Sequence, residues 1–224
     1  MDNYFELGLD ELRQKLLLMG SHSEAAVNGA VEALMQRNHD LAVKVRRDDD
    51  VIDQFEVEID DMAIHLLTKA PLATNLRLVT VAMKISQNLE RIGDEATKIA
   101  KRAKDLSQEA PIKLQLDMPR LARMALAMVK DSLDSFVHRD SAAARAVIPR
   151  DKEVDALNRE MHAALATHMM ENPDTIARCL HWIVSAKSLE RIADHAKNIA
   201  EDVVYLCEAQ DIRHTAKAAG NASA

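Results

Sequence analysis

The chain has few of the residues that build sheets, tight turns and aromatic cores. Aromatic residues make up 3% of its 224 residues, and only five residues are glycine. Alternating runs of β-branched residues, which are typical of strands, are missing. Alanine, leucine, methionine, glutamate, aspartate, lysine and arginine dominate instead, and most of these favour helices. The composition therefore predicts an all-α protein.

The sequence also lacks the features of membrane-spanning, nucleic-acid-binding and secreted proteins. No stretch approaches the ~18 uninterrupted apolar residues that a membrane-spanning helix needs. The formal net charge of −7 argues against a general nucleic-acid binder, which needs clustered lysine and arginine. The first residues, MDNYFELGLDELRQ, lack the basic start and apolar run of a signal peptide. We therefore expect a cytoplasmic protein with no nucleic-acid partner and no direct membrane insertion.

Only two cysteines are present, Cys179 and Cys207, and both fall within the last predicted helix. At ~1.5 Å of rise per residue they would stand ~40 Å apart, which excludes a disulfide within the chain. Reduced thiols agree with a cytoplasmic location.

Hydrophobic periodicity predicts three helices in the first half of the chain. The first starts near Phe5, and Asp40 is placed to cap the second. Pro71 should end the second helix because proline removes a backbone donor. The third helix is predicted from about Ala73 to Leu106.

Three more helices are predicted after the segment SQEAPIKLQLDMP, in which the helical period is lost. Asp117 should cap the fourth helix. The fifth covers roughly Ser141–Met170, and Pro149 should kink or restart it. The sixth ends near Glu208. We therefore divide the chain into a first bundle at residues 1–110, a second bundle at 111–209 and a disordered tail at 210–224.

The two halves repeat each other. NLERIGDEATKIA at residues 88–100 returns as SLERIADHAKNIA at residues 188–200. Upstream, RRDDDVIDQFEVEIDDM aligns with PRDKEVDALNREMHAA when Asp49 is placed on Asp151. The repeat predicts two tandem three-helix bundles, because each unit is too long for a solenoid repeat.

Both halves keep acidic residues four positions apart, which places two carboxylates on one helix face ~5–6 Å apart. Such pairs repel unless a cation or base lies between them, and magnesium, manganese, iron and zinc all accept carboxylate ligands. One helix rarely completes a coordination shell, so two pairs must converge. The candidate metal ligands are Asp49, Asp53, Glu90 and Asp94 in the first half, and Asp151, Asp155, Glu190 and Asp194 in the second.

A solvated acidic face would show the same spacing, which also occurs at Glu6 with Asp10. The spacing alone is therefore weak evidence, and the repetition of the pairs in register is what favours metal. Further along the same faces, Glu56 and Asp60 in the first half align with Asn158 and His162 in the second. The second site could thus hold a softer metal through His162, although a lone helical histidine is more often a surface or packing residue.

Two further differences separate the copies. Lys98 and Lys101 replace Asn198 and Glu201, and Lys98 could neutralise the first acid pair without any metal. Gly93 stands where the second copy has alanine, at a cost of ~1 kcal/mol in a helix. One explanation is that another helix or a ligand approaches closely there. The other, which we favour, is that a small residue is simply tolerated on the packing face.

Two copies of L-E-R-I-[GA]-D-x-A-x-x-I-A, each preceded by a D-x-x-x-D helix, resemble the PhoU family of phosphate-uptake regulators over essentially the whole chain. The resemblance implies two three-helix bundles with pseudo-twofold symmetry and metal ions at the eight acids named above. It implies a cytoplasmic, often dimeric, negative regulator and not an enzyme. Its partners would be the ATPase subunit of the phosphate ABC transporter and the sensor histidine kinase of the phosphate regulon.

Three other interpretations stay open. An enzyme is disfavoured, because the sequence has no G-x-x-x-x-G-K-[ST] loop, no G-x-G-x-x-G and no nucleophile elbow, and no Glu-x-x-His pair of a di-iron oxidase. A phosphotransfer helix around His22 has no supporting flanking residues. The most serious rival is a metal-free helical adaptor of another signalling pathway, which metal analysis would separate from the regulator.

Overall fold

The computed structural model describes residues 2–69 and 73–213. Within these ranges the chain forms eight α-helices, two short 3-10 turns and no strand, which confirms the all-α prediction. The helices are α1 (Asp2–Gln36), α2 (His39–Asp48), α3 (Asp50–Leu67), α4 (Ala73–Ser107), α5 (Met118–His138), α6 (Ser141–Val147), α7 (Asp151–Glu171) and α8 (Ile176–Glu208). The predictions for Pro71 and for residues 214–224 of the tail lie outside the described residues.

The eight helices form six rods in two bundles. Asp49 alone separates α2 from α3, and the 3-10 turn Ile148–Arg150 joins α6 to α7, as the proline at position 149 predicted. The rods α1, α2–α3 and α4 pack on one another, and so do α5, α6–α7 and α8. The prediction of two tandem three-helix bundles is therefore confirmed.

The caps at the helix starts follow from short polar side chains. The Asp117 carboxylate accepts a hydrogen bond from the Arg120 backbone N–H at 3.2 Å, as predicted for the start of α5. The predicted cap of α2 was wrong: Asn38, two residues before Asp40, accepts from the Leu41 N–H at 3.0 Å. Asp40 lies inside the first turn, where its charge instead complements the helix dipole.

The backbone repeats at the turn that follows the first rod of each bundle. Arg37 and Arg139 occupy equivalent positions, and both adopt left-handed conformations with φ values of 56° and 51°. Each is followed by a capping residue, Asn38 in the first bundle and Asp140 in the second. The pseudo-symmetry thus extends to the backbone conformation of single residues.

The apolar stripes of α4 and α8 are buried in the core. Eight stripe residues are fully buried: Leu89, Ile92, Ala96 and Ile99 on α4, and Leu189, Ile192, Ala196 and Ile199 on α8. Burial of each leucine or isoleucine contributes roughly 1.5–3 kcal/mol. These stripes hold the repeated motifs in place, so their polar flanks have fixed positions.

The same two helices join the bundles along an antiparallel contact, which we call the α4–α8 seam. Arg77 Nη1 lies 3.4 Å from the carbonyl oxygen of Leu206, and His195 Nδ1 lies 3.0 Å from Asn88 Oδ1. The start of each helix therefore packs near the end of the other.

Both cysteines lie on α8, and neither takes part in a disulfide within the described residues, as their spacing predicted. Cys179 is buried, whereas Cys207 is exposed. No helix in the described part of the chain combines the length and apolar character needed to cross a membrane.

Candidate functional site

The structure brings the four acids of the first half onto facing surfaces. Asp49 lies at the junction of α2 and α3, Asp53 follows one turn later on α3, and Glu90 and Asp94 lie on α4. Burial, followed by the charges of Asp53, Asp94 and Asp50, raises the pKa of Asp49 to about 6. Burial, followed by the charge of Asp94, also raises the pKa of Glu90. We call these four acids the first acidic cluster.

The second half repeats this arrangement between α7 and α8. Burial is the main cause that raises the pKa of Asp194 to about 6, and the charges of Asp151, Glu190 and Asp155 act in the same direction. The other three predicted residues thus lie near enough to Asp194 to affect its ionisation. We call them the second acidic cluster.

Gly93 allows α3 to approach α4 closely beside the first acidic cluster. A Cβ atom at this position would lie 2.9 Å from Asp49 Oδ1 and 2.9 Å from Ile52 Cδ1. The atoms nearest to this position are the ends of two side chains of a neighbouring helix, so Gly93 lies on a closely packed face. Ala193 is the equivalent residue of the second half and is fully buried, so the second helix pair accommodates a methyl group there.

Arg91 contacts two acids of the first acidic cluster and offsets part of their negative charge. Its Nε lies 3.3 Å from Glu90 Oε2, and its Nη1 lies 3.2 Å from Asp94 Oδ2. Lys98, which the sequence offered as a possible partner of these acids, instead donates to Glu95 Oε1 at 2.9 Å. The Glu95 side chain is 5% exposed in the α4–α8 seam. A charged carboxylate that is buried needs a charged partner more than a carboxylate that water can reach, which favours the contact with Lys98.

Two lysines contact the second acidic cluster. Lys197 Nζ donates to Asp151 Oδ2 at 2.7 Å, and Lys187 Nζ lies 2.5 Å from Glu190 Oε2. The residue equivalent to Lys197 in the first half is Thr97. Each half therefore has its own cations at non-equivalent positions. The three-residue spacing from Lys187 to Glu190 could have been found from the sequence, but the contact between helices at Asp151 could not.

The second acidic cluster is also bordered by buried polar atoms that lack partners. Asp151 Oδ1, Asn158 Oδ1 and His162 Nε2 are buried and have no hydrogen-bond partner among the described residues. Asp151 and Asn158 are each 6% exposed. Their counterparts Asp49 and Glu56 are only partly buried, so the second cluster is the deeper of the two.

The side chains do not form a ready-made coordination shell. In residues 2–69 and 73–213, no group of three or more His, Cys, Asp or Glu side chains is arranged to hold a metal ion. Carboxylates of like charge turn apart when nothing lies between them. Binding of a metal would therefore require these side chains to rotate toward one another, while the helix backbones already hold them on facing surfaces.

Comparison with known proteins shows a consistent match over both bundles. The family model described as the PhoU domain matches twice, at residues 16–103 and 118–203. The phosphate-specific transport system accessory protein PhoU homolog of Pseudomonas putida is 41% identical over 94% of this chain and 83% of its own length.

Solved structures show the same similarity. The crystal structure of PhoU from Pseudomonas aeruginosa has a TM-score of 0.88 at 40% identity, and covers 92% of this chain and 100% of that chain. The phosphate transport system regulatory protein PhoU from Streptococcus pneumoniae has a TM-score of 0.86 at 26% identity, over 93% of this chain and 99% of its own.

Proposed function

Because the chain belongs to the PhoU domain family, whose model matches both of its bundles, we propose that it is an accessory regulator of phosphate transport. The observation that carries this proposal is the double match, in which each matched segment includes its own acidic cluster. The relatives are named for accessory and regulatory roles in the phosphate transport system, and none of those names describes a catalytic activity.

The regulator acts by binding to other proteins in the cytoplasm, as a homodimer and without chemical conversion of a substrate. It contacts the ATPase subunit of the phosphate ABC transporter and the sensor histidine kinase of the phosphate regulon. When phosphate is plentiful, it favours the inactive state of the kinase and restrains uptake. The names of the relatives support the transport part of this proposal, and the family resemblance of both repeats supports the rest.

The two acidic clusters hold metal ions in this proposal, and iron, zinc, manganese and magnesium are the candidates. A bound ion would supply the positive charge that draws facing carboxylates together. The fit is supported by Asp151 Oδ1, which is buried without a hydrogen-bond partner, and by the raised pKa values of Asp49 and Asp194. The paired acids thereby tie α3 to α4 and α7 to α8, and set the shape that partners contact.

Removal of the gene tests the regulatory role. Cells without the protein should keep taking up phosphate rapidly in phosphate-rich medium, and the wild-type gene should restore restraint. An Asp10→Ala variant, altered at an exposed acid outside both clusters, serves as the matched control and should restore restraint equally. Equal uptake with and without the gene would contradict the proposal.

A metal-free helical adaptor is the second candidate function. It is favoured by the arginine and lysines that already contact the clusters, namely Arg91, Lys187 and Lys197. Protein purified without tag or chelator should separate the two possibilities. A folded, metal-free wild type that still restrains phosphate uptake in cells grown in metal-depleted medium would establish the adaptor.

A further inference from the structure

The buried face of α7 distinguishes the two acidic clusters. We propose that Asn158 and His162, which lie one helical turn apart, extend the second cluster along α7 with a mixed nitrogen and oxygen site for a borderline transition-metal ion such as Zn²⁺, whereas the first cluster holds a hard cation through carboxylates alone. This inference rests on the proposed metal binding and assigns a different ion class to each bundle.

The register of α7 places the two added residues on the acidic face. Asp151, Asp155, Asn158 and His162 follow one another at i, i+4, i+7 and i+11, which is one face of an α-helix. The residues at the same positions of α3 are Asp49, Asp53, Glu56 and Asp60. The same helical face therefore offers four carboxylates in the first bundle, but two carboxylates, an amide and an imidazole in the second.

The added side chains have buried atoms that need a partner. Asn158 is 6% exposed, and its Oδ1 accepts no hydrogen bond from the described residues. His162 Nε2 is buried without a partner as well. Leaving a buried polar atom without a partner destabilises the fold, and a metal ion coordinated by the amide oxygen and the imidazole nitrogen would supply that partner. By contrast, Glu56 and Asp60 have no buried side-chain atom that lacks a hydrogen-bond partner among the described residues.

The charge around the second cluster points to the same ion class. Lys187 and Lys197 contact Glu190 and Asp151, so part of its negative charge is already neutralised. Hard ions such as Mg²⁺ and Mn²⁺ gain most from many anionic oxygens, whereas imidazole nitrogen suits zinc and iron. The second cluster combines less negative charge with a nitrogen donor, and the first combines more negative charge with oxygen donors only.

Titration of Zn²⁺ and Mn²⁺ into metal-free protein tests the assignment. The first cluster is silenced by Asp53→Ala with Glu90→Ala, and binding to the second is followed by calorimetry. In this background His162→Ala should weaken Zn²⁺ binding about tenfold or more, while Mn²⁺ binding changes far less. Asn158→Glu with His162→Asp, which recreates the α3 face, should shift the preference toward Mn²⁺.

Another histidine of α7 provides the matched control. His168 Nε2 is also buried without a partner, but His168 lies six residues further along and on a different helix face. His168→Ala should leave the ratio of Zn²⁺ to Mn²⁺ affinity unchanged. Circular dichroism checks that each variant is folded.

The possible outcomes separate the inference from the proposed function. If the background protein binds Zn²⁺ and His162→Ala leaves the ratio of affinities unchanged, the inference is overturned and metal binding stands. If the background protein and the wild type bind neither ion, both the inference and the proposed metal binding fail. A ratio that falls with His162→Ala but not with His168→Ala supports the assignment.

Discussion

The two bundles carry equivalent carboxylates but surround them differently. In the first, a half-exposed arginine, Arg91, contacts two acids of the same helix, and Gly93 lets α3 approach α4 closely. In the second, Lys197 reaches across from α8 to Asp151, and Ala193 replaces the glycine. The repeat thus preserves the positions of the acids, whereas burial, neutralising charge and helix spacing differ between the halves.

The largest expected effect concerns protein stability at Gly93 and at its counterpart Ala193. Gly93→Val should destabilise the protein by about 3 kcal/mol. A Cβ atom added at this position would lie 2.9 Å from Asp49 Oδ1 and from Ile52 Cδ1, and the branched side chain of valine needs still more room. Ala193→Gly should cost only about 1 kcal/mol, through helix propensity. Urea unfolding of both variants measures this, and equal free energies of unfolding would contradict the close packing at Gly93.

A smaller effect concerns pH. Asp49 and Asp194 have folded-state pKa values of about 6, above the usual value of about 3.9 in an unfolded chain. The folded state therefore binds more protons between these values, and these two groups make the metal-free protein less stable as the pH rises from about 4 to 6. Asp194→Asn removes this penalty.

The variant should consequently match the wild type near pH 4 and exceed its unfolding free energy by about 1 kcal/mol at pH 7, with allowance for solvent screening. Asp49→Asn should behave alike, because burial and neighbouring acids raise the pKa of Asp49 to about 6 as well. Unfolding of metal-free protein across this pH range measures the difference. A variant that loses stability relative to the wild type as the pH rises would contradict the burial and the charge repulsion that raise the pKa of these acids.

The smallest effect distinguishes two cations of the first bundle. Arg91→Ala should raise the Mn²⁺ affinity of the first acidic cluster about threefold, because an exposed ion pair contributes roughly 0.2–1 kcal/mol. Lys98→Ala should leave that affinity unchanged, since Lys98 contacts Glu95 in the α4–α8 seam. Titration in an Asp155→Ala, Glu190→Ala background isolates the cluster. A larger rise in Mn²⁺ affinity with Lys98→Ala than with Arg91→Ala would show that Lys98 is the cation that offsets the charge of the first acidic cluster.

Local patterns account for what the sequence predicted well. The third predicted helix, from about Ala73 to Leu106, is observed at Ala73–Ser107, because periodic apolar residues and helix ends are set by neighbours in the chain. The alignment of the repeats likewise identified the acids that lie together on facing helices. The wrong cap of α2 had a local cause too: Asn38 and Asp40 are both good capping residues, and only the backbone decides between them.

The neutralising contacts could not be predicted because they depend on tertiary packing. Lys98 follows Asp94 by one turn, but a buried acid of the α4–α8 seam, Glu95, binds it instead. Lys197 lies on α8 and Asp151 on α7, and the two residues are 46 positions apart in the sequence. The orphaned atoms of Asn158 and His162 likewise become visible only when α7 is packed in place.

Elemental analysis of untagged, chelator-free protein tests most directly whether the paired acids bind metal. Wild type is compared with Asp53→Ala, Glu90→Ala in the first cluster and with Asp155→Ala, Glu190→Ala in the second, each checked for folding by circular dichroism. We predict stoichiometric metal in the wild type and the loss of one cluster's share in each double variant. A folded wild type without metal, or equal metal content in all three proteins, would contradict the assignment of these acids as ligands.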